Sequence, residues 1–437
     1  MIPGLASSGY CPIRGCTLQL GRPGGRIDAS RANRAALTSE VAKVSAQDEF
    51  RAETRAWLEA NCPASMRTPM PEEERVWGGR NAKFRHPDSK LWLERCAARG
   101  WTVPTWPKAY GGGGLDRDQA LVLKEEMARL GCRPPLFSFG ISMLGPVLLK
   151  YGTEAQKAEH LPKIARGEIR WCQGYSEPGA GSDLAALATR AEDKGDHWLV
   201  NGQKIWTSYA NYADWIFCLV RTDTSTKQGG ISFLLFDMAS PGVETRPITL
   251  ISGASVFCET FLTDVKVPKD NLVGRLNGGW EIAKELLQHE RGMISDIGKS
   301  IGGMVPDVDV IARRYLGDAD GRIGDAVLRD AVARHVMDDR AFQLTMRRAA
   351  QESEAGTANG GLSSMFKLYG TEQNKRKFEL ALKCVGSRAL GWEGEGFDDD
   401  ELMLCRTWLR SKGNSIEGGT SEVQLNVIAK RVLGLPD

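Results

Sequence analysis

Gln173-Gly-Tyr-Ser-Glu-Pro-Gly-Ala-Gly-Ser-Asp183, followed by His197-Trp-Leu-Val-Asn-Gly-Gln-Lys-Ile-Trp-Thr-Ser208, decides the reading of this chain. The first segment continues a strand-like run, Arg170-Trp-Cys-Gln173, into a Pro/Gly-rich loop that carries Ser176, Ser182 and Asp183. The second reads as a hairpin turning at Asn201-Gly202. Asn-Gly between two strand-like runs is a strong local turn signal, because a type I′ turn needs positive φ at both central residues. The spacing thus predicts a β unit presenting Trp206, Thr207 and Ser208 beside a glycine-relieved loop. An indole wall with hydroxyls next to it suits a flat aromatic ligand with a polar rim.

On either side the texture is helical. Phe50, Thr54, Trp57 and Leu58 share one helical face, as do Leu91, Trp92, Arg95 and Cys96. Residues 116–130 and 152–164 predict further helices. From Trp171 to Val273 the pattern changes to short strands, at Trp215–Val220, Ile231–Phe236 and Val256–Leu262, separated by Asn, Gly and Pro turns. Helices return over about 280–300, 326–355, 360–391 and 420–433. The expected architecture is α+β and mainly α. It has an N-terminal helical domain (46–170), a central β-barrel-like domain (171–275) and a C-terminal antiparallel four-helix bundle (276–437). Residues 1–45 hold Arg14, Arg22, Arg26, Arg31 and Arg34, with no acidic residue before Asp28, yet Pro3, Pro12 and Pro23 break any amphipathic helix. They read as a disordered leader or a mis-assigned start rather than a transit peptide.

Composition narrows the classes. The 437 residues are 42% hydrophobic and 26% charged, ordinary for folded globular domains. A net charge of +2 without a basic block gives no argument for nucleic acid. The ten cysteines form no C-x-x-C pair, and the five histidines do not cluster with them. No metal site or disulfide framework is expected, and the chain reads as cytoplasmic. The longest apolar run, Pro134 to Leu149, is too short and too interrupted to span a bilayer.

Ser176-Glu-Pro-Gly-Ala-Gly-Ser-Asp183, Asn201-Gly-Gln-Lys-x-Trp206, Val265-x-Val-Pro268 with Gly274, His289-Glu-Arg291 and Gly419-Thr-Ser-Glu-x-Gln424 together resemble the acyl-CoA dehydrogenases, in a bacterial form, over about residues 50–437. The resemblance implies a homodimeric or homotetrameric oxidoreductase of lipid β-oxidation. It would hold FAD between the β-domain and the bundle, act on an acyl-CoA and pass electrons to an electron-transfer flavoprotein. By position, Gln173, Tyr175, Ser176, Trp206, Thr207 and Ser208 would lie along the flavin ring, and Thr420 and Glu422 would reach the cofactor from the last helix. Ser182, Arg291 and Gly418 would contact the substrate. Thr420 is also a natural N-cap, a role compatible with binding an anionic cofactor group.

The base departs from the commonest family pattern, a Glu immediately before Gly-Thr. Here the loop reads Ser415-Ile-Glu-Gly-Gly-Thr420, so Gly418 occupies that place and Glu417 is displaced by one residue. A branch of the family takes its base from the position of Glu290, which makes Glu290 the expected base and Glu417 the runner-up. Glu290 and Arg291 are adjacent, so they do not face each other on one helix. Gly418 leaves space for a branched or cyclic acyl group and offers its N–H to the thioester carbonyl. The adenine and pyrophosphate side departs too, with Arg313, Arg314, Gly386 and Ser387 as weak stand-ins. Phe137, Phe139, Met143 and Leu144 read equally as core or as substrate wall. The alternatives are a flavin oxidase or monooxygenase of the same fold, or a low-activity partner subunit of a hetero-oligomeric dehydrogenase.

Overall fold

The computed structural model describes residues 46–287, 305–355, 357 and 361–436. The expected leader at 1–45, and with it Glu290 and Arg291, lies outside the described residues.

The N-terminal helices form where periodicity and caps agree. Helix α1 (46–61) buries Thr54 and Leu58 completely. Helix α2 (Pro87–Ala98) buries Trp92 and Cys96 but leaves Leu91 at its surface. Helix α3 (Arg117–Leu130) starts at a capping box of Asp116 with Gln119 and stops at Gly131 in the left-handed region. Two further helices follow, α4 (Gly145–Tyr151), preceded by one π-helical turn at Gly140–Leu144, and α5 (Glu154–Ala165), capped by Thr153 with Gln156. Glu126 ties α3 to α1 by accepting from Arg51, Arg55 and Arg129. Arg55 first, with Arg129 and Arg51, outweighs the opposing effect of burial and holds the Glu126 carboxyl at about 2.

The central domain is one curled seven-stranded sheet, order β1-β4-β2-β3-β7-β6 with β5 on the other edge of β4. Its strands are β1 (Trp171–Gly174), β2 (Arg190–Asp193), β3 (His197–Ser208), β4 (Trp215–Arg221), β5 (Ile231–Asp237), β6 (Val243–Ile248) and β7 (Phe257–Pro268). Alternation along β4 serves two cores. Phe217 and Leu219 pack with Leu148, Leu161 and Ile164 of the helical layer. Ile216, Cys218 and Val220 pack with Val200, Leu262 and Val265 inside the curl.

Asn201-Gly202 is not a hairpin turn. It lies within the continuous β3, where the register against β7 slips between Val200 and Gly202. The Asn201 side chain bonds Asp264, accepting its N–H at 2.9 Å and donating to its carboxylate at 3.0 Å. Gly202 has φ +156°, and a Cβ there would meet Thr189 Oγ1 at 2.4 Å. The slip is a β-bulge whose extra residue lies on β7, where Asp264 takes φ +52°, and Asn201-Gly202 is the segment of β3 opposite it. The chain turns instead before β3, at Gly195, whose N–H is accepted by Asp193.

The C-terminal domain contains the expected helices and more. Helix α6 is described over 279–287. After it come α7 (Val308–Leu316), α8 (Ala326–Glu354), α9 (Leu362–Val385), α10 (Asp399–Ser411) and α11 (Ser421–Arg431). Sequence reading ran α9 on to residue 391; it ends at Gly386, which takes φ +68°. It also missed α7 and α10. Among the described residues no helix is long and apolar enough to cross a membrane.

Candidate active site

The Ser-Glu-Pro-Gly loop and β3 are joined by a buried ion pair. Lys204 donates to Glu177 at 2.7 Å and to the Tyr175 carbonyl at 3.2 Å. Glu177 also accepts the N–H groups of Ala188 and Thr189. Burial pushes the Glu177 carboxyl up, but Lys204 and the donated bonds prevail and hold it below its usual range. Ile205 N–H donates to the Ser176 carbonyl at 2.9 Å, which completes the seam. Two motif residues with no role in the sequence reading therefore hold the loop against the strand. Lys204→Met should cost about 3–5 kcal/mol of stability, because it strands a buried carboxylate. Urea unfolding measures it, and a loss below about 1 kcal/mol would refute the anchoring role.

Beyond Lys204 the strand bulges again, between Lys204 and Thr207. Trp206 is left at φ +59°, strained for a non-glycine residue, and 52% exposed. Its indole meets the Phe257 ring edge-on at 6.0 Å. Thr207 is fully buried, and its hydroxyl has no hydrogen-bond partner among the described residues. Ser208 pairs with Phe257 at the end of the ladder and is half-buried. Gln173, also half-buried, faces β4 opposite Phe217. The Tyr175 ring points into the core against Phe217 and Phe233 rather than toward the bulge. Ser182 is exposed, next to an Asp183–Lys227 pair at the surface.

The last loop approaches from the bundle. Glu417 accepts from Arg410 at 2.7 Å and from Asn414 at 2.6 Å. Gly418 and Gly419 both take positive φ, +63° and +92°. Gln424 donates to the Gly418 carbonyl at 3.0 Å, and Lys367 of α9 donates to the Gly419 carbonyl at 2.5 Å. Thr420 caps α11 by accepting from Val423 N–H. Glu422 lies in the first turn, where its own amide and the Thr420 hydroxyl hold its carboxyl below the usual range.

The two halves meet. Arg410, partner of Glu417, stacks 5.6 Å from the Phe257 ring that contacts Trp206. Arg406 donates across the same seam to the Ser252 carbonyl at 3.3 Å. Arg410 therefore links Glu417 of the last loop to Phe257, which neighbours Trp206 and Ser208, at the junction of β-domain and bundle. Arg313 and Arg314 are not free for it, since they pair with Asp318 and with Asp398 and Asp400. Of the residues the sequence reading missed, Lys204 had a legible signal: it continues the inward phase of Trp198 and Val200 across the bulge.

The acyl-CoA dehydrogenase N-terminal, middle and C-terminal domain profiles match residues 45–168, 172–265 and 277–433. The chain is 36% identical over 393 residues to acyl-CoA dehydrogenase IpdE1 of Mycobacterium tuberculosis, covering 89% of this chain and 98% of that protein. This chain belongs to the acyl-CoA dehydrogenase family. Among solved structures it resembles the Tcur3481-Tcur3483 steroid ACAD, at TM-score 0.70 and 32% identity over 90% of this chain and 98% of that one. The ChsE4-ChsE5 complex from Mycobacterium tuberculosis gives TM-score 0.70 and 30% identity, over 90% and 98%.

As an acyl-CoA dehydrogenase the chain is an oxidoreductase, and the family implies a flavin. The junction fits one. The exposed Trp206 is a ready wall for a flat ring, and the buried Thr207 hydroxyl has no partner among the described residues. The α11 N-terminus supplies amides of the kind that bind phosphate. A Cβ on Gly179 or Gly181 would meet nothing within 4 Å, so the loop opposite is open to a ligand.

Proposed function

We propose that the chain catalyses α,β-dehydrogenation of an acyl-CoA with FAD and transfers the electrons to an electron-transfer flavoprotein. The observation that carries this reading is the junction itself: the strained, exposed Trp206 and a Thr207 hydroxyl without a partner among the described residues, linked through Phe257 and Arg410 to the last loop. Gln173, Ser176, Trp206, Thr207 and Ser208 would hold the flavin ring, with Tyr175 acting from behind the loop as core. Thr420 and Glu422 would hold the cofactor from α11. FAD, when bound, supplies the acceptor for the β-hydride. Glu290 takes the α-proton. Gly418 offers its N–H to the thioester carbonyl, so that negative charge developing there meets a fixed dipole. Ser182 and Arg291 would contact the CoA portion.

The acyl group in this reading is branched or cyclic. Gly418 presents no side chain to it, and the relatives include a steroid ACAD. The setting is cytoplasmic lipid catabolism, with the chain in a homodimer or homotetramer. Glu417, ion-paired to Arg410, favours one second reading, in which this chain is the low-activity subunit of a hetero-oligomer. The names of two similar structures each join two components. Anaerobic bleaching of the flavin by straight-chain, branched, aromatic and steroid-type acyl-CoAs tests the proposal on the chain purified alone. Bleaching by a cyclic acyl-CoA, with slow reoxidation in air, is expected. Flavin bound but bleached by none of the four would favour the partner-subunit reading, and fast reoxidation would favour an oxidase.

A further inference from the structure

One cluster of charge and aromatic rings next to Ser208 has no part in the cofactor site. Arg170, immediately before β1, places its guanidinium 4.7 Å from the Trp77 ring, 5.3 Å from Tyr209 and 5.5 Å from Tyr212. It is half-buried, and no carboxylate lies within ion-pair distance of its guanidinium among the described residues. The nearest acid, Asp214, spends one oxygen on the backbone N–H groups of Arg80 and Arg170 and sits 3.9 Å from the Arg80 side chain with the other. Arg75 approaches the same indole from the N-terminal domain, at 5.9 Å, and stacks on Phe137 at 4.6 Å. Its Nε is buried without a partner among the described residues, while its other end pairs with Glu72.

Ring faces offset part of the cost of desolvating a cation, but they leave guanidinium N–H donors unsatisfied. Two such groups share one indole; Glu72 is taken by Arg75 and Asp214 by Arg80 and backbone N–H groups, so Arg170 makes no ion pair among the described residues. The backbone is arranged to hold it there. Tyr209 sits at φ +52°, strained for a tyrosine, one residue after Ser208. Its N–H is fixed to the Val256 carbonyl at 2.8 Å. Trp77 also meets Phe139, at 5.7 Å, just before the π-helical turn at Gly140–Leu144. Such turns occur disproportionately at functional sites.

Resting on the dehydrogenase reading above, we propose that Arg170 and Arg75, with Trp77, Phe137 and Tyr209, form the far end of the acyl pocket. They select acyl groups that carry an acceptor oxygen, a ketone or a carboxylate, on an apolar ring body. The aromatic faces take the ring body and the arginine N–H groups take the oxygen. Phe137 and Phe139 then belong to the substrate wall, whereas Met143 and Leu144 are core.

The test uses the FAD-loaded full chain and three cyclohexyl acyl-CoAs of matched length, ending in a hydrocarbon, a ketone or a carboxylate. Equilibrium binding of each is measured separately from flavin bleaching. The wild type should bind at least one oxygen-bearing probe about tenfold or more tighter than the hydrocarbon. Arg170→Gln should erase that preference while leaving hydrocarbon binding and the thermal midpoint unchanged, and Arg75→Gln should reduce it. Equal wild-type affinity for all three probes would overturn the proposal whatever the variants do. So would an Arg170→Gln variant that weakens all three equally, the signature of a purely structural arginine. Preferential binding with no bleaching would leave this inference standing and sink the dehydrogenase reading instead.

Discussion

Glu290→Gln should lower turnover by about 10²–10⁴-fold, the usual contribution of a positioned base, while leaving FAD and acyl-CoA binding intact. Three observations on the last loop lead there. Gly418, at the position where the family commonly places its base, has no side chain to accept a proton. Glu417, the next carboxylate, is held by Arg410 at 2.7 Å and by Asn414 at 2.6 Å. A carboxylate that already accepts from a guanidinium and an amide is turned toward those partners and must give up these bonds before it can take the α-proton. Glu422 lies in the first turn of α11, beside amides that favour its ionised state. A competent base must therefore come from elsewhere, and Glu290 falls in the stretch that the sequence reads as the first C-terminal helix, about 280–300. Glu417→Gln gives the contrasting result: most turnover survives, while the loop loses its tie to Arg410. Single-turnover bleaching of both variants, normalised to bound FAD, decides. If Glu417→Gln abolishes bleaching at full FAD occupancy and Glu290→Gln does not, the assignment is reversed.

The parts of this protein that could be read from its sequence are those set by local rules. Asp116 with Gln119 and Thr153 with Gln156 start their helices as the capping pattern dictates. Thr420 caps α11 in the same way. Strands β4 and β5 are legible as nearly continuous apolar runs because both faces of the sheet there are covered. Asn201-Gly202 misled because Asn201 serves to hold the bulged Asp264 of β7 and Gly202 to let Thr189 approach, uses that only the pairing with β7 distinguishes from a turn. Trp206 was found by its motif, but its strain and exposure depend on the second register slip, which no local pattern announces. Contacts between distant segments were least accessible. Nothing near Arg410 in the chain foretells that it bridges Glu417 and Phe257, and nothing near Tyr175 foretells that its ring turns into the core.

Lys367→Met should lower kcat about tenfold or more and weaken FAD retention, although Lys367 touches neither flavin nor thioester in the proposed arrangement. Its side chain is buried in α9, and its ammonium donates to the Gly419 carbonyl at 2.5 Å. Burial lowers its pKa, with the nearby charges of Glu417 and Glu372 opposing that effect. A buried cation is costly to maintain unless its bond has a use, and here the bond fixes a loop that little else could fix. Gly418 and Gly419 both adopt positive φ, where glycine is conformationally freest. Gln424 holds one carbonyl of the pair and Lys367 the next. Removing the lysine leaves the Gly419 carbonyl without a donor, a loss of about 1–3 kcal/mol, and frees the Gly418 N–H from its set direction. A donor acting on a transition state loses most of its value when it can wander. Lys367→Gln separates bond from charge, because a neutral amide can still donate to Gly419. Partial recovery of kcat in Lys367→Gln, with KM little changed, would identify the hydrogen bond as the functional element. Wild-type kcat and FAD affinity in Lys367→Met would show that the glycine pair keeps its conformation without the lysine, and would overturn this role.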